Sequence, residues 1–178
     1  MLLDLSAVSV LVIDDNSHMR SLFRAILNGF GIRRISDASD GADGLAVTLE
    51  RKPDVVICDW VMSPLNGAEF LSILRSDTDT GVATTPVIMV SADARKPVVL
   101  KAVELGIHEF LAKPVSPAML YQRLQRVLTE HRPFVRAVDR LRPAPRGSYE
   151  PSAMPAPEVA AAAFKAQRSA GGQGTVYL

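Results

Sequence analysis

The chain of 178 residues has room for one domain of ordinary size plus an appendage, and its 48% hydrophobic content can bury a real core. The net charge of +1 is unevenly distributed, since residues 1–130 carry 13 basic and 16 acidic side chains and residues 131–178 carry 7 and 3. The single cysteine, Cys58, excludes an internal disulfide and a cysteine-based zinc or redox site, which favours a reducing cytoplasm. No run approaches the ~20 apolar residues of a membrane span, and Asp4 and Asp14 break the pattern of a signal peptide.

Five short apolar segments alternate with five longer segments of helical periodicity. The short segments are rich in β-branched or aromatic residues and are too short for helices, which predicts buried strands. In the longer segments apolar residues recur three and four positions apart, which predicts amphipathic helices. In chain order, strands are predicted at 8–13, 32–38, 55–58, 87–90 and 110–112. Helices are predicted at 19–30, 41–51, 67–75, 97–105 and 117–131.

This alternation predicts an α/β fold, a doubly wound five-stranded parallel sheet with helices on both faces. Ligands of such folds bind beyond the carboxyl ends of the strands, where the strand order reverses. The polar stretch 77–85 predicts a loose connection into the fourth strand.

The composition changes after His131. Residues 131–178 hold 6 of the 12 prolines, followed by an alanine run and a glycine-rich stretch. This composition predicts a mostly disordered tail after a folded domain at 6–130. Phe134, Val135, Val138 and Leu141 would share one face of a short helix near 134–142, and the alternative for that segment is a solvated linker.

Polar residues follow the predicted strands where a doubly wound fold places its site. Asp14 and Asp15 follow the first strand, Asp59 the third, Ser91 the fourth and Lys113 the fifth. Three converging carboxylates repel one another unless a cation compensates them, and hard oxygen ligands of this kind suit Mg²⁺. With the cation bound, Asp59 can attack phosphorus while Lys113 and Ser91 offset charge on the phosphoryl oxygens.

Four stretches in order, "VLVIDDNSHMRSLFRAIL", "PDVVICDWVMSPLNGAEFL", "PVIMVSA" and "AVELGIHEFLAKP", resemble the receiver domain of two-component response regulators over about residues 6–129. The resemblance implies a flavodoxin-like fold of the single-domain, chemotaxis-regulator type. It makes Asp59 the phosphoacceptor, with Asp15, Asp59 and the backbone carbonyl of Val61 binding Mg²⁺ directly. Asp14 would hold a metal-bound water, and Ser91 and Lys113 would bind the phosphoryl group.

The resemblance also assigns three tuning residues. Phe110 matches the aromatic switch residue whose rotamer the family couples to Ser91, and the alternative is a plain core aromatic. Val61 and Asp93 flank the path of the water that hydrolyses the aspartyl phosphate. This self-dephosphorylation is the only turnover expected, since the domain accepts a phosphoryl group and is not otherwise an enzyme.

The resemblance implies that a sensor histidine kinase or a histidine phosphotransfer protein supplies the phosphoryl group. The family signals through the face of its fourth helix, fifth strand and fifth helix, which predicts protein contacts at Val98, Val99 and Ala102. The tail shows no helix-turn-helix pattern, which disfavours DNA binding.

Three alternatives remain open. The chain could relay phosphoryl groups or act as a phosphate sink, or it could serve as an unphosphorylated scaffold. An aspartyl-nucleophile phosphohydrolase of the haloacid dehalogenase type is disfavoured, because that family has Asp where this chain has Asn16.

Overall fold

The computed structural model describes residues 4–146, which form one large sheet covered by helices and a separate two-stranded hairpin. The strands of the large sheet are β1 (Ser9–Ile13), β2 (Arg34–Ala38), β3 (Val55–Asp59), β4 (Val87–Ser91) and β5 (Glu109–Ala112). The helices are α1 (Ser17–Gly29), α2 (Gly41–Arg51), α3 (Gly67–Arg75), α4 (Thr80–Ala83), α5 (Lys96–Leu105) and α6 (Pro117–Thr129). The sheet is parallel throughout, in the flavodoxin-like order β2-β1-β3-β4-β5. The predicted doubly wound fold is therefore confirmed.

Two apolar layers, one on each face of the sheet, explain why the central strands are continuously hydrophobic. In β1, Val10 and Val12 join a cluster with α1 and α6, whereas Leu11 and Ile13 join a cluster with α3 and α5. Because successive side chains of a strand point to opposite faces, a strand buried on both sides has no polar positions. In β3 and β4 the polar side chains, Asp59 and Ser91, stand at the carboxyl ends.

Side-chain caps set the starts of α1 and α3. The Asn16 carboxamide accepts hydrogen bonds from the backbone N–H groups of His18 (2.9 Å) and Met19 (3.3 Å) at the start of α1. At α3, Asn66 and Glu69 form a reciprocal capping box. These caps fix where the loops at the carboxyl edge of the sheet end.

The stretch 77–85 is more ordered than its polarity predicted. It contains the single-turn helix α4, which buries Val82 and Ala83. Asp79 accepts a hydrogen bond from the Gly81 N–H at 2.9 Å and pairs with Lys52. The polar residues of this stretch therefore cap and anchor a short helix, and the expectation of a loose connection is wrong.

The segment near 134–142 is a β-hairpin, so the predicted short helix is wrong. Strand β6 (Phe134–Ala137) pairs antiparallel with β7 (Arg140–Pro143). Val138, in the turn, has a φ of 56°, a left-handed conformation that ends a helix and reverses the chain. Leu141 is only 4% exposed, because β7 lies against α3. The apolar spacing suggested a helix face, but the same residues serve a strand pair docked on the domain.

A buried arginine lies beneath this hairpin. Arg75, at the end of α3, is 1% exposed, and it donates to the carbonyl oxygens of Gly106 (2.9 Å) and Ala83 (2.6 Å). Both carbonyls belong to helix C-terminal ends, whose partial negative charge offsets the guanidinium. Burial nevertheless lowers the pKa of Arg75 to about 9. The Phe134 ring covers the guanidinium, 5.4 Å from ring centroid to Cζ.

Two further arginines tie the hairpin segment to the start of β5. Arg132 donates to the carbonyl oxygen of Ala144 at 2.6 and 3.0 Å and to that of His108 at 3.2 Å. Arg146 pairs with the buried carboxylate of Glu109. The hairpin is thus attached at the amino end of β5 and to α3, and the predicted flexible tail is ordered as far as residue 146. The rest of that prediction, residues 147–178, lies outside the described residues.

Within residues 4–146, none of the helices has both the length and the apolar character needed to cross a bilayer.

Candidate functional site

Three carboxylates meet at the carboxyl edge of the sheet. Asp14 and Asp15 follow β1, and Asp59 ends the neighbouring β3. One oxygen from each carboxylate lies within 4.8 Å of one oxygen of the other two. Asp14 and Asp59 are buried, at 1% and 7% exposure, whereas Asp15 is exposed. The site is therefore an acidic pocket with two buried walls and one side open to solvent.

Three contacts fix the orientation of Asp14. Its Oδ1 accepts the N–H of Asn16 at 2.8 Å, and its Oδ2 faces the Lys113 ammonium at 3.3 Å. Its backbone carbonyl accepts a hydrogen bond from Arg20 on α1 at 2.7 Å. The carboxylate is thus preorganised in a buried position, and Arg20 is a contributor that the sequence pattern did not reveal.

Among residues 4–146, Lys113 supplies the ammonium that faces the acidic pocket. Its Nζ lies 3.2 Å from Asp59 Oδ1, and its backbone N–H donates to the Ser91 carbonyl at 2.9 Å. The Lys113–Pro114 peptide bond is cis. The Lys113 ammonium, just after β5, therefore contacts both the Asp14 and the Asp59 carboxylates.

The pKa of Asp59 is governed first by its burial and then by the charges around it. Burial is the main cause that raises the pKa of Asp59, and the neighbouring Asp14 carboxylate raises it further. The Lys113 ammonium and the backbone N–H of Val61 act in the opposite direction. One lysine does not offset three carboxylates, so the pocket has the charge and the hard oxygen donors that suit a bound divalent cation.

Gly67 lets the loop after β3 fold back over Asp59. Its N–H donates to the Trp60 carbonyl at 3.1 Å, and a Cβ on Gly67 would lie 2.4 Å from the Asp59 carbonyl oxygen and 2.9 Å from the Trp60 Cα. Both are backbone atoms, so a side chain here forces the loop to move. The sequence stretch containing Gly67 carries the family resemblance, but this steric role depends on a loop geometry that periodicity does not encode.

Ser91 ends β4, the strand that pairs with β3, and Asp93 follows it in the next loop. Ser91 is fully buried, and its Oγ accepts the backbone N–H of Asp93 at 3.1 Å. The Asp93 carboxylate accepts two hydrogen bonds from the Arg95 guanidinium, at 2.8 and 2.6 Å. These bonds are the main cause that lowers the pKa of Asp93 to about 2.

The remaining predicted residues surround the pocket without entering the acidic cluster. Val61 is 67% exposed beside Asp59. Phe110 is half-buried in β5 and packs on the α3–α5 side of the sheet, as does Trp60. Cys58 is fully buried, and burial raises the pKa of its thiol.

A doubly wound sheet with an acidic pocket and a facing lysine at its carboxyl edge defines a class of phosphoryl-binding α/β domains. Within this class, the sequence model of the response regulator receiver domain matches residues 10–125. The chain therefore belongs to the response regulator receiver family.

Individual relatives agree with this assignment. The chain is 28% identical over 120 residues to the chemotaxis protein CheY-3 of Vibrio cholerae, covering 67% of this chain and 91% of that protein. A chain in the solved CheX–CheY–BeF₃–Mg²⁺ complex from Borrelia burgdorferi matches with a TM-score of 0.62 and 26% identity, covering 67% of this chain and 88% of that one.

A larger relative shares only part of its length. The chain is 37% identical over 137 residues to protein-glutamate methylesterase/protein-glutamine glutaminase 1 of Myxococcus xanthus. The match covers 76% of this chain but 38% of the methylesterase. The methylesterase activity in that protein's name therefore does not transfer with the match.

Proposed function

We propose that this protein is a two-component response regulator whose Asp59 accepts a phosphoryl group from a histidine kinase or a histidine phosphotransfer protein. The observation that supports this most directly is the convergence of Asp14, Asp15 and Asp59 with the Lys113 ammonium 3.2 Å from Asp59. A buried nucleophile beside a fixed cation is the arrangement that phosphoryl transfer to a carboxylate needs.

The reaction exchanges one bond for another. An oxygen of the Asp59 carboxylate attacks phosphorus, and the phosphorus–nitrogen bond of the donor phosphohistidine breaks with its electron pair on nitrogen. The imidazole leaves as the neutral base, because its other ring nitrogen already carries a proton or it takes one from solvent. Lys113 then stands beside the phosphoryl oxygens, and the Ser91 hydroxyl, which already accepts the Asp93 N–H, has its own proton free to donate.

The pocket fits Mg²⁺ as its cofactor. Asp14, Asp15 and Asp59 supply hard oxygen donors, and the Val61 carbonyl, in the loop after β3, is proposed as a further ligand. When bound, the cation neutralises charge shared by the carboxylates and the phosphoryl oxygens. This neutralisation opposes the effect of burial, which raises the pKa of Asp59.

Output is proposed to be phosphorylation-dependent protein binding through the α5–β5–α6 face. On α5, Val98 and Val99 are half-buried, whereas Leu100 and Val103 are 56% and 52% exposed. Ala102 is fully buried, so its prediction as a partner contact is wrong. Phe110, in the strand of this face, is proposed to couple its rotamer to Ser91.

One alternative loses support from the structure. A phosphohydrolase of the haloacid dehalogenase type would use Asp14, directly after the first strand, as its nucleophile. That family needs an acid two residues later, where this chain has Asn16. The Asn16 carboxamide oxygen is occupied by the first N–H groups of α1. A relay intermediate or phosphate sink remains compatible with the same chemistry and differs only in its partners. The single cysteine is typical of a protein of the reducing cytoplasm, which is where we place this regulator. Since the sequence shows no DNA-recognition pattern, protein binding is the proposed output.

The fluorescence of Trp60, the single tryptophan of the chain, provides a direct test. We expect a saturable response to Mg²⁺ and a further change with beryllofluoride as a phosphoryl mimic. Asp59→Asn should abolish the second change, whereas the control Asp139→Asn, in the hairpin turn, should retain both. A beryllofluoride response that survives Asp59→Asn, or wild-type protein that acetyl phosphate fails to label on Asp59, would overturn the proposal.

A further inference from the structure

Arg20, on the first helix, joins the acidic pocket to the neighbouring strand β2. Its Nη1 donates to the backbone carbonyl oxygen of Asp14 at 2.7 Å, and its Nε lies 3.7 Å from Asp37 Oδ2. Asp37 belongs to β2, which pairs with β1, and it also pairs with Arg24, one turn further along α1. The Arg20 side chain is only 21% exposed, so most of it is held against the protein.

The Arg20 contact holds the peptide unit between the two carboxylates that follow β1. The N–H of Asp14 donates to the Ala38 carbonyl at 3.2 Å, and the Asp14 carbonyl accepts the hydrogen bond from Arg20. A peptide unit is planar, so a rotation that moved this carbonyl would change ψ of Asp14 and φ of Asp15 together. Asp15 is exposed, so the position of its carboxylate depends on the backbone more than on packing. Arg20 therefore acts on the position of Asp15 through the backbone.

The charge of Arg20 has the opposite effect on a cation in the pocket. A guanidinium beside an acidic pocket repels a divalent cation, although its pairing with Asp37 offsets part of that charge. The hydrogen bond to Asp14 favours the cation, because it holds the backbone from which two of the three clustered carboxylates project. The two roles predict changes of opposite sign in Mg²⁺ affinity when Arg20 is replaced.

Magnitudes decide between the two roles of Arg20. Loss of a contact that orients a metal ligand typically costs ~10–100-fold in affinity. Repulsion between separated charges near a surface is weaker, because salt screens it over about 8 Å at physiological ionic strength. The effect on orientation is therefore the larger one.

We propose that Arg20 is a positioning residue that holds the Asp14–Asp15 peptide in the geometry that binds the divalent cation, and that this role outweighs its repulsion of the cation. This inference rests on the proposed function, in which the pocket binds Mg²⁺. It gives Arg20 a role in the affinity of the pocket without making it a ligand.

The test measures the Mg²⁺ dissociation constant of the full-length protein from Trp60 fluorescence and, independently, by titration calorimetry. Arg20→Gln is expected to weaken Mg²⁺ binding about five- to thirtyfold, in the lower part of the range for a contact that orients a ligand. Arg20→Lys keeps the charge but loses the planar guanidinium, so its affinity should fall between those of Arg20→Gln and wild type. The weakening should persist in about 0.5 M salt, where an effect of charge alone is screened.

Arg24→Gln is the matched control. It removes a cation that pairs with the same Asp37 but whose hydrogen bonds go to Asp37 and to the Ile35 carbonyl. Its Mg²⁺ affinity should stay within about twofold of wild type. Thermal unfolding in EDTA shows whether each variant is folded at the assay temperature, since a role in folding alone would leave the affinity of the folded protein unchanged. If Arg20→Gln does not fold, a weakening of at least about threefold in Arg20→Lys is the result expected.

The outcomes separate this inference from the proposed function. Unchanged or tighter Mg²⁺ binding by folded Arg20→Gln overturns the inference, as does an equal weakening in Arg24→Gln. Wild-type protein that neither responds to Mg²⁺ nor is labelled on Asp59 by acetyl phosphate overturns the proposed function, and the inference with it. Wild-type protein that does both, with an affinity that replacing Arg20 leaves unchanged, overturns the inference alone.

Discussion

The docked hairpin makes a quantitative prediction about stability, which Leu141→Ala tests. Leu141 is 4% exposed in β7, so the substitution removes buried methyl groups and leaves a cavity between the hairpin and α3. Leu-to-Ala changes in protein cores cost about 2–5 kcal/mol. A two-stranded hairpin can relax inward more than a central strand, which places the expected loss at about 2–3 kcal/mol.

The free energy of unfolding is measured by urea denaturation with far-ultraviolet circular dichroism, and the midpoint of thermal unfolding should fall by roughly 5–10 °C. The control is Arg136→Ala in β6 of the same hairpin, where the side chain is exposed and the expected change is within about 0.5 kcal/mol. The solvated linker considered from the sequence predicts equally small effects for both variants. A Leu141→Ala change below about 0.5 kcal/mol would therefore refute the docked hairpin.

Three further predictions concern the pocket. Gly67→Ala should abolish the Mg²⁺ response of Trp60 fluorescence without removing any charge, because its Cβ would lie 2.4 Å from the Asp59 carbonyl oxygen. The control is Gly29→Ala in α1, where an added Cβ meets nothing within 4 Å. This control should retain the response and stabilise the fold by about 0.5–1 kcal/mol. The folded state raises the pKa of Asp59 above 3.8, so ionisation of this group costs stability as pH rises through that range. Asp59→Asn should accordingly unfold at a higher temperature than wild type at pH 7 in EDTA, and the difference should shrink below pH 3.8. An unfolding midpoint at pH 7 that is equal to or lower than that of wild type would contradict a destabilising effect of Asp59 ionisation. Mg²⁺ at about 100 times its dissociation constant should stabilise the wild type by about 2.7 kcal/mol in thermal unfolding, and Asp15→Asn should reduce that gain if Asp15 is a ligand.

The sequence predicted the fold well where burial is repetitive. The strands β1 and β3 are buried on both faces, so their hydrophobicity is continuous and their ends are marked by the carboxylates themselves. Because parallel strands present their carboxyl ends at one edge, the meeting of Asp14, Asp59 and Lys113 also followed from the order of elements.

The errors arise where distant contacts determine the local structure. The spacing of Phe134 and Leu141 suits either a helix face or a hairpin. The hairpin is favoured by the packing of Phe134 on Arg75, by contacts with the start of β5 and by the turn at Val138. Arg75 itself, in the last turn of α3, has the pattern of a solvated basic residue at a helix end. Its burial depends on the carbonyls of two other helix ends and on the Phe134 ring, which no local pattern records.

The burial of Cys58 gives the protein an internal reporter of its own opening. This thiol is the single one in the chain and lies fully buried in the central strand, one residue before the proposed phosphoacceptor. Since only an exposed thiolate reacts, a thiol reagent can modify Cys58 only when β3 separates from its neighbours. The labelling rate therefore measures the free energy of opening at this strand under native conditions. Comparing that rate with and without beryllofluoride would show how far occupation of the pocket tightens the centre of the sheet.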